Sequence, residues 1–378
     1  MKFGENQKRL YLMALGLFVL AIALVFAWPM LNGGGGEGGD APAPTPMPMI
    51  TSHATRTPAP AGTPAAEGSA SPAPTDGGLP ATAGVDDTVD VVVYYRDNYG
   101  YLVPVMCTIP YEEGIAKAAL SMMTGGGEND LAAARLGLRT VLPAGVTFDL
   151  DIAGGAARID LSGEAMNCAD AAAESAMVNA IVLTLTEFDS VSTVEFLVNG
   201  QAVETLSHGT DVSEPLSRSG INPEDGEGRA TGQVTLYFPG EDATVLVPVT
   251  RAVRSTPDIE TAVLELLRGP ENPAALSPVA PEDAELIRVE VADGTARIYL
   301  AGSMAEILDA ADGGLLALRA IAATCAQFPG VKQVELYVDG EKLDLDREAL
   351  AVPAFINSAD DILYDYIEAQ SDAIFGGD

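Results

Sequence analysis

From residue 89 onward the chain shows one pattern of hydrophobic and polar positions twice. Short runs rich in Val, Ile, Leu and Tyr indicate strands, and two longer apolar stretches per copy indicate helices. Each copy predicts strand, strand, helix, strand, strand, helix, strand and a short final strand. The matched segments are 90–95 with 234–238, 101–105 with 245–249, 115–126 with 259–270, 157–161 with 296–300, 187–200 with 327–340, and 221–222 with 356–357. Their order holds over roughly 120 residues, which indicates duplicated domains rather than a solenoid.

Dipeptides that tolerate positive φ mark the hairpin turns of both copies. Asp293-Gly294 and Gly154-Gly155 stand at the same place between two predicted strands. Asp339-Gly340 and Asn199-Gly200 mark a second hairpin in each copy. The strands on either side of these turns are therefore predicted to be antiparallel neighbours.

The helices decide the fold class. The second predicted helix of each copy, at 171–187 or 309–327, is rich in Ala, Leu and Ile with few charges, so we expect it to be largely buried. Helices placed between antiparallel hairpins are typical of a two-layer arrangement. We therefore predict an α+β protein of two tandem two-layer sandwich domains, each a mostly antiparallel sheet with two helices on one face.

The amino terminus predicts a membrane anchor. Residues 10–28 contain no charge and follow a basic segment that carries Lys2, Lys8 and Arg9. A helix of that length covers about 28 Å, close to the thickness of a bilayer core. The basic flank places the amino terminus in the cytoplasm and the rest of the chain outside it. A signal peptide cleaved after Val25-Phe26-Ala27 is the alternative.

Changes of composition divide the chain into six segments. The predicted boundaries are 1–31 for the basic tip and anchor, 32–84 for a Gly/Pro/Ala/Thr-rich linker, 85–207 for the first domain, 208–229 for a connector, 230–345 for the second domain, and 346–378 for an acidic tail with a short helix. In that tail Ser358 and Asp361 form a capping-box pattern. Ile362, Leu363, Tyr366 and Ile367 would share a face, which we expect to pack on its own domain, with a partner site as the alternative.

The charge balance argues against nucleic acid as a partner. The chain has 54 acidic and 20 basic residues, for a net charge of −34, and such a surface repels phosphate backbones. The three cysteines are scattered, and neither His53 nor His208 has a ligand set or a catalytic triad around it. We predict no metal site and no cofactor.

Candidate catalytic groups have simpler structural explanations. Glu195 and Glu335 occupy equivalent strand positions and alternate with apolar residues, which places them on a solvated face. The glycines at 125–127 and Gly269 follow the first helix of each copy, where they explain helix termination better than phosphate binding. Ser303 follows a strand, but neither domain holds a histidine to activate it. We therefore predict no catalytic residue.

The sequence resembles a known family in segments 236–270, 285–300 and 327–340. These segments are similar to the GerMN domain of the sporulation and germination (GerM-like) family, and the resemblance covers residues 89–358. It implies non-catalytic modules outside the membrane, with a fold like that of ring-building modules. It also implies envelope or sporulation-complex proteins as partners, ring- or channel-forming ones among them, and a homo-oligomer. The chain departs from GerM lipoproteins because it has a predicted membrane helix and no lipid-bearing cysteine.

Three functional hypotheses follow. The first is a membrane-anchored scaffold or assembly protein of sporulation or germination that acts through protein–protein contacts. The second is an envelope protein that binds a wall glycan or small ligand between its domains, which would favour matched exposed aromatics; Tyr94 with Tyr237 is one such candidate pair. The third, a hydrolase, has the least support.

Overall fold

The structure is a computed structural model that describes residues 88–224, 230–241, 244–304, 313–343 and 357–363. The predicted anchor and linker, His53 and residues 364–378 of the tail lie outside the described residues. Within the described ranges no helix is long and apolar enough to cross a membrane. All described residues fall in one compact unit, Leu79–Asp378.

The first repeat has the predicted order of elements, with one additional helix. Its elements are β1 (Thr88–Arg96), β2 (Leu102–Pro110), α1 (Ile115–Met122), α2 (Gly127–Arg135), β3 (Phe148–Ala153), β4 (Ala156–Leu161), a 3-10 turn (Gly163–Met166), α3 (Ala171–Leu185), β5 (Thr193–Val198) and β6 (Gln201–Ala202). Two short strands follow in the connector, β7 (Leu216–Ser217) and β8 (Pro223–Glu224).

The second repeat follows the same order. Its elements are β9 (Gly232–Pro239), β10 (Leu246–Val253), α4 (Ile259–Leu267), β11 (Glu285–Ala292), β12 (Thr295–Ala301), α5 (Gly313–Ala326), β13 (Gln333–Val338) and β14 (Glu341–Lys342). The described residues thus confirm the α+β fold and the duplication.

Each repeat contains a separate hairpin and a four-stranded path. The paths run β3-β4-β5-β6 and β11-β12-β13-β14, and β7 adds a further pairing to β5. The hairpin pairs β1–β2 and β9–β10 are antiparallel, whereas β4 with β5 and β12 with β13 are parallel. The parallel pair is expected where a helix crosses over between two strands, because a tight turn can join only antiparallel strands. The predicted "mostly antiparallel" sheet is therefore correct.

Local chemistry explains the element boundaries. Asp170 caps α3 by accepting a hydrogen bond from the Ala173 N–H at 2.8 Å, and ten of the 15 residues of α3 are buried, as predicted. The turn residue Asp293 has φ 53° and Gly294 has φ 80°, the geometry that a two-residue hairpin needs. The predicted hairpins are confirmed at this turn and at the three others.

The additional helix, α2, was not predicted. The glycines at 125–127 predict only the end of α1, but Gly126 also precedes a new helix. The Asp130 carboxylate accepts hydrogen bonds from the Gly126 N–H at 2.9 Å and from the Thr140 hydroxyl at 2.7 Å. The chain's own carboxylate therefore occupies this helix start.

Candidate functional site

The two repeats meet where the outer edges of β2 and β10 face each other. Pro104 in β2 and Pro248 in β10 occupy equivalent positions of the repeated Leu-Val-Pro-Val sequence. Proline has no N–H, so these strands cannot form a continuous ladder across the junction. The free carbonyl groups therefore need donors from elsewhere.

Asn222, in the connector, supplies the first set of bonds. Its side-chain nitrogen donates to the Leu102 carbonyl at 2.8 Å and to the Pro248 carbonyl at 2.7 Å. Its side-chain oxygen accepts from the Leu102 N–H at 2.8 Å. One amide therefore joins the first repeat to the second.

Asn357, in the tail of the second repeat, makes the same bonds with the repeats exchanged. It donates to the Leu246 carbonyl at 2.9 Å and to the Pro104 carbonyl at 2.8 Å, and it accepts from the Leu246 N–H at 2.8 Å. Because Leu246 and Pro104 correspond to the two partners of Asn222, the junction has an approximate twofold symmetry. We call these two residues the asparagine clamps.

The backbone around each clamp continues the exchange. Pro223 of β8 pairs in parallel with Thr250 of β10, and Ser358 pairs in parallel with Met106 of β2. Ser358 thus pairs with the first repeat, and the packing of the tail helix through Ile362 and Leu363 on its own domain stays a prediction. In the predicted capping contact the Asp361 N–H donates to the Ser358 hydroxyl oxygen at 3.4 Å. A local helical pattern could not specify which repeat the tail contacts.

The symmetry is broken two residues beyond each clamp. In the second repeat Arg251 is buried, with 5% of its side chain exposed, and it pairs with the Glu224 carboxylate at 2.6 Å and with Glu265 at 3.3 Å. It also donates to the Gly269 carbonyl at 2.8 Å. The equivalent residue of the first repeat is Cys107, whose pKa burial raises to about 11. A buried cation therefore recognises the connector strand but not the tail.

The face of the second sheet that carries Glu335 holds a row of side chains across four strands. Arg288, Tyr299, Tyr337 and Lys342 are successive cross-strand neighbours. The two tyrosine rings stack with centroids 4.6 Å apart, and the Arg288 guanidinium lies 3.5 Å from the Tyr299 centroid. We call this row the tyrosine ladder. The corresponding row of the first repeat is Asp149, Asp160, Leu197 and Ala202, which has no aromatic residue.

Known proteins share this tandem arrangement. The family model described as "Germane: Sporulation and spore germination" matches residues 92–204 and 235–344. The spore germination protein GerM of Bacillus subtilis (strain 168) is 30% identical over 299 residues, which cover 73% of this chain and 81% of that protein. The chain belongs to the Germane family.

A solved structure supports the same conclusion for the fold. The tandem GerMN domains of the sporulation protein GerM from Bacillus subtilis match with a TM-score of 0.58 at 30% identity, over 72% of this chain and 99% of that one. The predicted family and the tandem arrangement of Germane domains are thus confirmed.

The two glutamates singled out in the sequence lie in ion pairs of these Germane domains. Glu195 pairs with Arg158 at 3.0 Å. Glu335 pairs with Lys342 at 2.6 Å and with Arg297 at 3.2 Å, and the hydrogen bond from Lys342 is the main cause of the lowered pKa of Glu335. Both alternate with buried residues, as predicted, and each is bonded to cations of its own sheet.

His208 and its neighbours hold a buried carboxylate in the first Germane domain. Glu174 accepts hydrogen bonds from the Ser207 hydroxyl at 2.9 Å, the His208 N–H at 2.7 Å and the Thr210 N–H at 3.0 Å. Burial acts to raise the pKa of Glu174, but these bonds outweigh it and the net pKa is lowered. The His208 ring bonds the Cys168 carbonyl at 2.9 Å. These contacts fix the start of the connector to α3.

The connector is fastened a second time by Arg218. Its guanidinium donates to the Tyr94 hydroxyl at 2.6 Å and pairs with Glu187. Burial raises the pKa of Tyr94. Tyr94 is therefore a packed residue, and it is not an exposed aromatic of a ligand cleft. The connector is thus bonded to the first Germane domain from His208 to Arg218, before it reaches β10 of the second domain at Pro223.

The described residues offer little for catalysis. The Ser303 hydroxyl donates to Asp283 at 2.7 Å, and both residues are near the surface without a histidine beside them. No group of three or more His, Cys, Asp or Glu in the described part could hold a metal ion. A cavity of about 240 Å³ lies between α3 and the connector, lined by Leu102, Asn179, Val182 and Ile221 among others, with no titratable and no aromatic side chain. Such a lining cannot perform acid–base chemistry.

Proposed function

We propose that this chain is a non-catalytic assembly protein of sporulation or spore germination, held at a membrane by residues 10–28 with its Germane domains outside the cytoplasm. Its family membership and the name of its Bacillus subtilis relative support the process. The uncharged run and its basic flank support the anchor.

The observation that carries the assembly role is the junction. The asparagine clamps and the buried Arg251 bind the two repeats into one body, so their open surfaces keep a fixed relation. The hydrogen bonds and ion pairs at the junction join one repeat to the other. The open sheet faces and the outer strand edges remain available for contacts with other chains. A body of this kind suits docking of other envelope proteins.

The tyrosine ladder gives little support to the alternative that the protein binds a glycan. Aromatic residues bind sugars through a free ring face, but one face of Tyr299 is covered by Arg288 and the other by Tyr337. Tyr94, of the matched pair Tyr94 and Tyr237, is 3% exposed. The described residues therefore offer a protein-docking surface more readily than a sugar platform.

Affinity capture from sporulating cells tests the proposal. We expect the full chain to recover envelope proteins specifically, and we expect Ser303→Ala to recover the same set with unchanged sporulation. The double variant Tyr299→Ala with Tyr337→Ala, checked for folding by circular dichroism, should reduce that recovery. Loss of sporulation in Ser303→Ala with unchanged capture would indicate an enzyme and contradict the proposal.

A further inference from the structure

The outer edge of β11 is an unusual surface for a chain of such negative charge. No other described strand pairs with this edge, and it carries Ile287 and Val291 at 55% and 51% exposure. Proteins generally protect such edges, because unpaired N–H and C=O groups beside apolar side chains recruit another strand. We therefore expect another strand to cover these exposed apolar positions.

The direction of the backbone groups fixes how a second strand would bind. A two-residue turn makes Ala292 and Thr295 a hydrogen-bonded pair of the β11–β12 hairpin. Alternate residues then face the opposite way, so Val291 and Val289 turn their N–H and C=O groups toward the open edge. Val289 lies at the centre of this edge.

The sequence of β11 is complementary to itself about Val289. The register of β11 shifts between Leu286 and Arg288, so the regular part of the strand is Arg288–Ala292. In an antiparallel pair centred on Val289, Arg288 of one copy stands opposite Glu290 of the other, beside the ion pair at 2.7 Å that these two residues form within each chain. Opposite charges and apolar residues that face each other across a pair are stabilising, whereas like charges in that position are destabilising. A net charge of −34 opposes association, so a local match of this kind is what pairing requires.

The first repeat provides an internal contrast. Its equivalent edge strand, β3, would pair about Leu150 and place Asp149 of one copy opposite Asp151 of the other. Both such contacts in the pair would bring two carboxylates together. The charges of the first edge thus oppose self-pairing, whereas the second edge, whose register shift lies before Arg288, has no such clash of like charges about Val289.

We propose that β11 pairs with β11 of a second copy of this chain, antiparallel and centred on Val289, to form a symmetric dimer with one continuous sheet. The contact is isologous, so it closes at two copies. A single strand pair buries little surface, which predicts a weak association favoured at high local concentration. The proposal is independent of the role in sporulation, because purified chain is sufficient to test it.

Charge reversal provides the first test. Arg288→Glu and Glu290→Arg each place like charges opposite each other, and we expect each to weaken self-association of the full chain roughly tenfold. A mixture of the two variants puts Glu at 288 opposite Arg at 290, and Glu290 opposite Arg288, so the mixture should associate although neither variant does alone. Sedimentation velocity measures this, and circular dichroism verifies folding.

A disulfide provides the second test. Hydrogen-bonded residues directly opposite each other have Cα atoms about 5.5 Å apart, within the range that a disulfide spans. Val289→Cys should therefore cross-link to itself under mild oxidation, whereas the matched control Leu150→Cys in β3 should not. The native cysteines Cys107, Cys168 and Cys325 are buried and do not interfere.

Two results would overturn the proposal. One is a Val289→Cys chain that stays monomeric on oxidation, together with variant mixtures that associate no better than each variant alone. The other is a Val289→Cys chain that cross-links in cells to a different protein and never to itself, which would assign the edge to that protein.

Discussion

The asparagine clamps allow a sharp test of how the two repeats are joined. Changing Asn222 or Asn357 to Asp keeps the shape of the side chain but replaces its donor nitrogen with an oxygen. That oxygen would face two carbonyl groups at the distances now spanned by hydrogen bonds, 2.7 to 2.9 Å. Aspartate tolerates the φ of 45° at Asn222 much as asparagine does, so backbone strain is not added.

The magnitude follows from the bonds lost. Each substitution removes two donated hydrogen bonds and leaves two carbonyls without a donor, at about 1 to 3 kcal/mol for each buried group left unpaired. We expect the free energy of unfolding to fall by about 2 to 6 kcal/mol. Asn357 should show the larger loss, because it is 5% exposed and water reaches it less easily than Asn222.

Urea denaturation of the purified chain, followed by circular dichroism, measures this loss. Asn179→Asp is the matched control, because Asn179 is exposed on α3 and undergoes the same chemical change. It should shift stability by no more than about 0.5 kcal/mol. If both clamp variants behave like the control, the clamps do not join the repeats. One unfolding transition in the parent chain that becomes two transitions in the clamp variants would confirm that the clamps couple the repeats.

Further predictions concern the buried charges. Glu224→Ala should lower the free energy of unfolding by about 3 kcal/mol, because it removes the closest partner of the buried Arg251. The double variant Arg251→Met with Glu224→Leu should recover most of that loss. Equal stability of the single and double variants would contradict this reasoning. The folded pKa of Glu174 is lowered, so its stabilisation is present above about pH 5 and lost as pH falls through the folded pKa. Glu174→Gln should therefore show a smaller loss of stability than the parent between pH 6 and pH 3 in thermal melts, and an identical pH profile would refute that reasoning.

Local signals in the sequence predicted most of the fold. The dipeptide Asp293-Gly294 predicts its own four-residue hairpin turn, and the apolar run of α3 predicts that this helix is buried. The helix α2 was missed because Glu128, Asn129 and Asp130 give it no apolar stripe.

The junction and the tyrosine ladder depend on longer distances. The matched Asn222 and Asn357 were visible as part of the repeat, but their partners lie 120 and 253 residues away. No local pattern specifies such contacts. Tyr299 and Tyr337 follow Arg297 and Glu335 by two residues, and this alternation could have placed them on one face. They are not among the aromatics matched in both copies, because the first repeat has Asp160 and Leu197 at these positions.

The difference between Arg251 and Cys107 also affects how neighbouring molecules avoid exchanging strands with each other. Chains crowded side by side could exchange their connector and tail strands, since both strands fit the same kind of edge. A connector placed on β2 would bury Glu224 beside Cys107 with no cation, and a tail placed on β10 would set Ala359 against Arg251 and leave the cation without its closest partner. The first mispairing leaves a buried carboxylate uncompensated, at a cost of several kcal/mol, and the second leaves Arg251 with Glu265 as its remaining carboxylate partner. Each strand therefore identifies its own binding edge, and the two halves assemble in only one order.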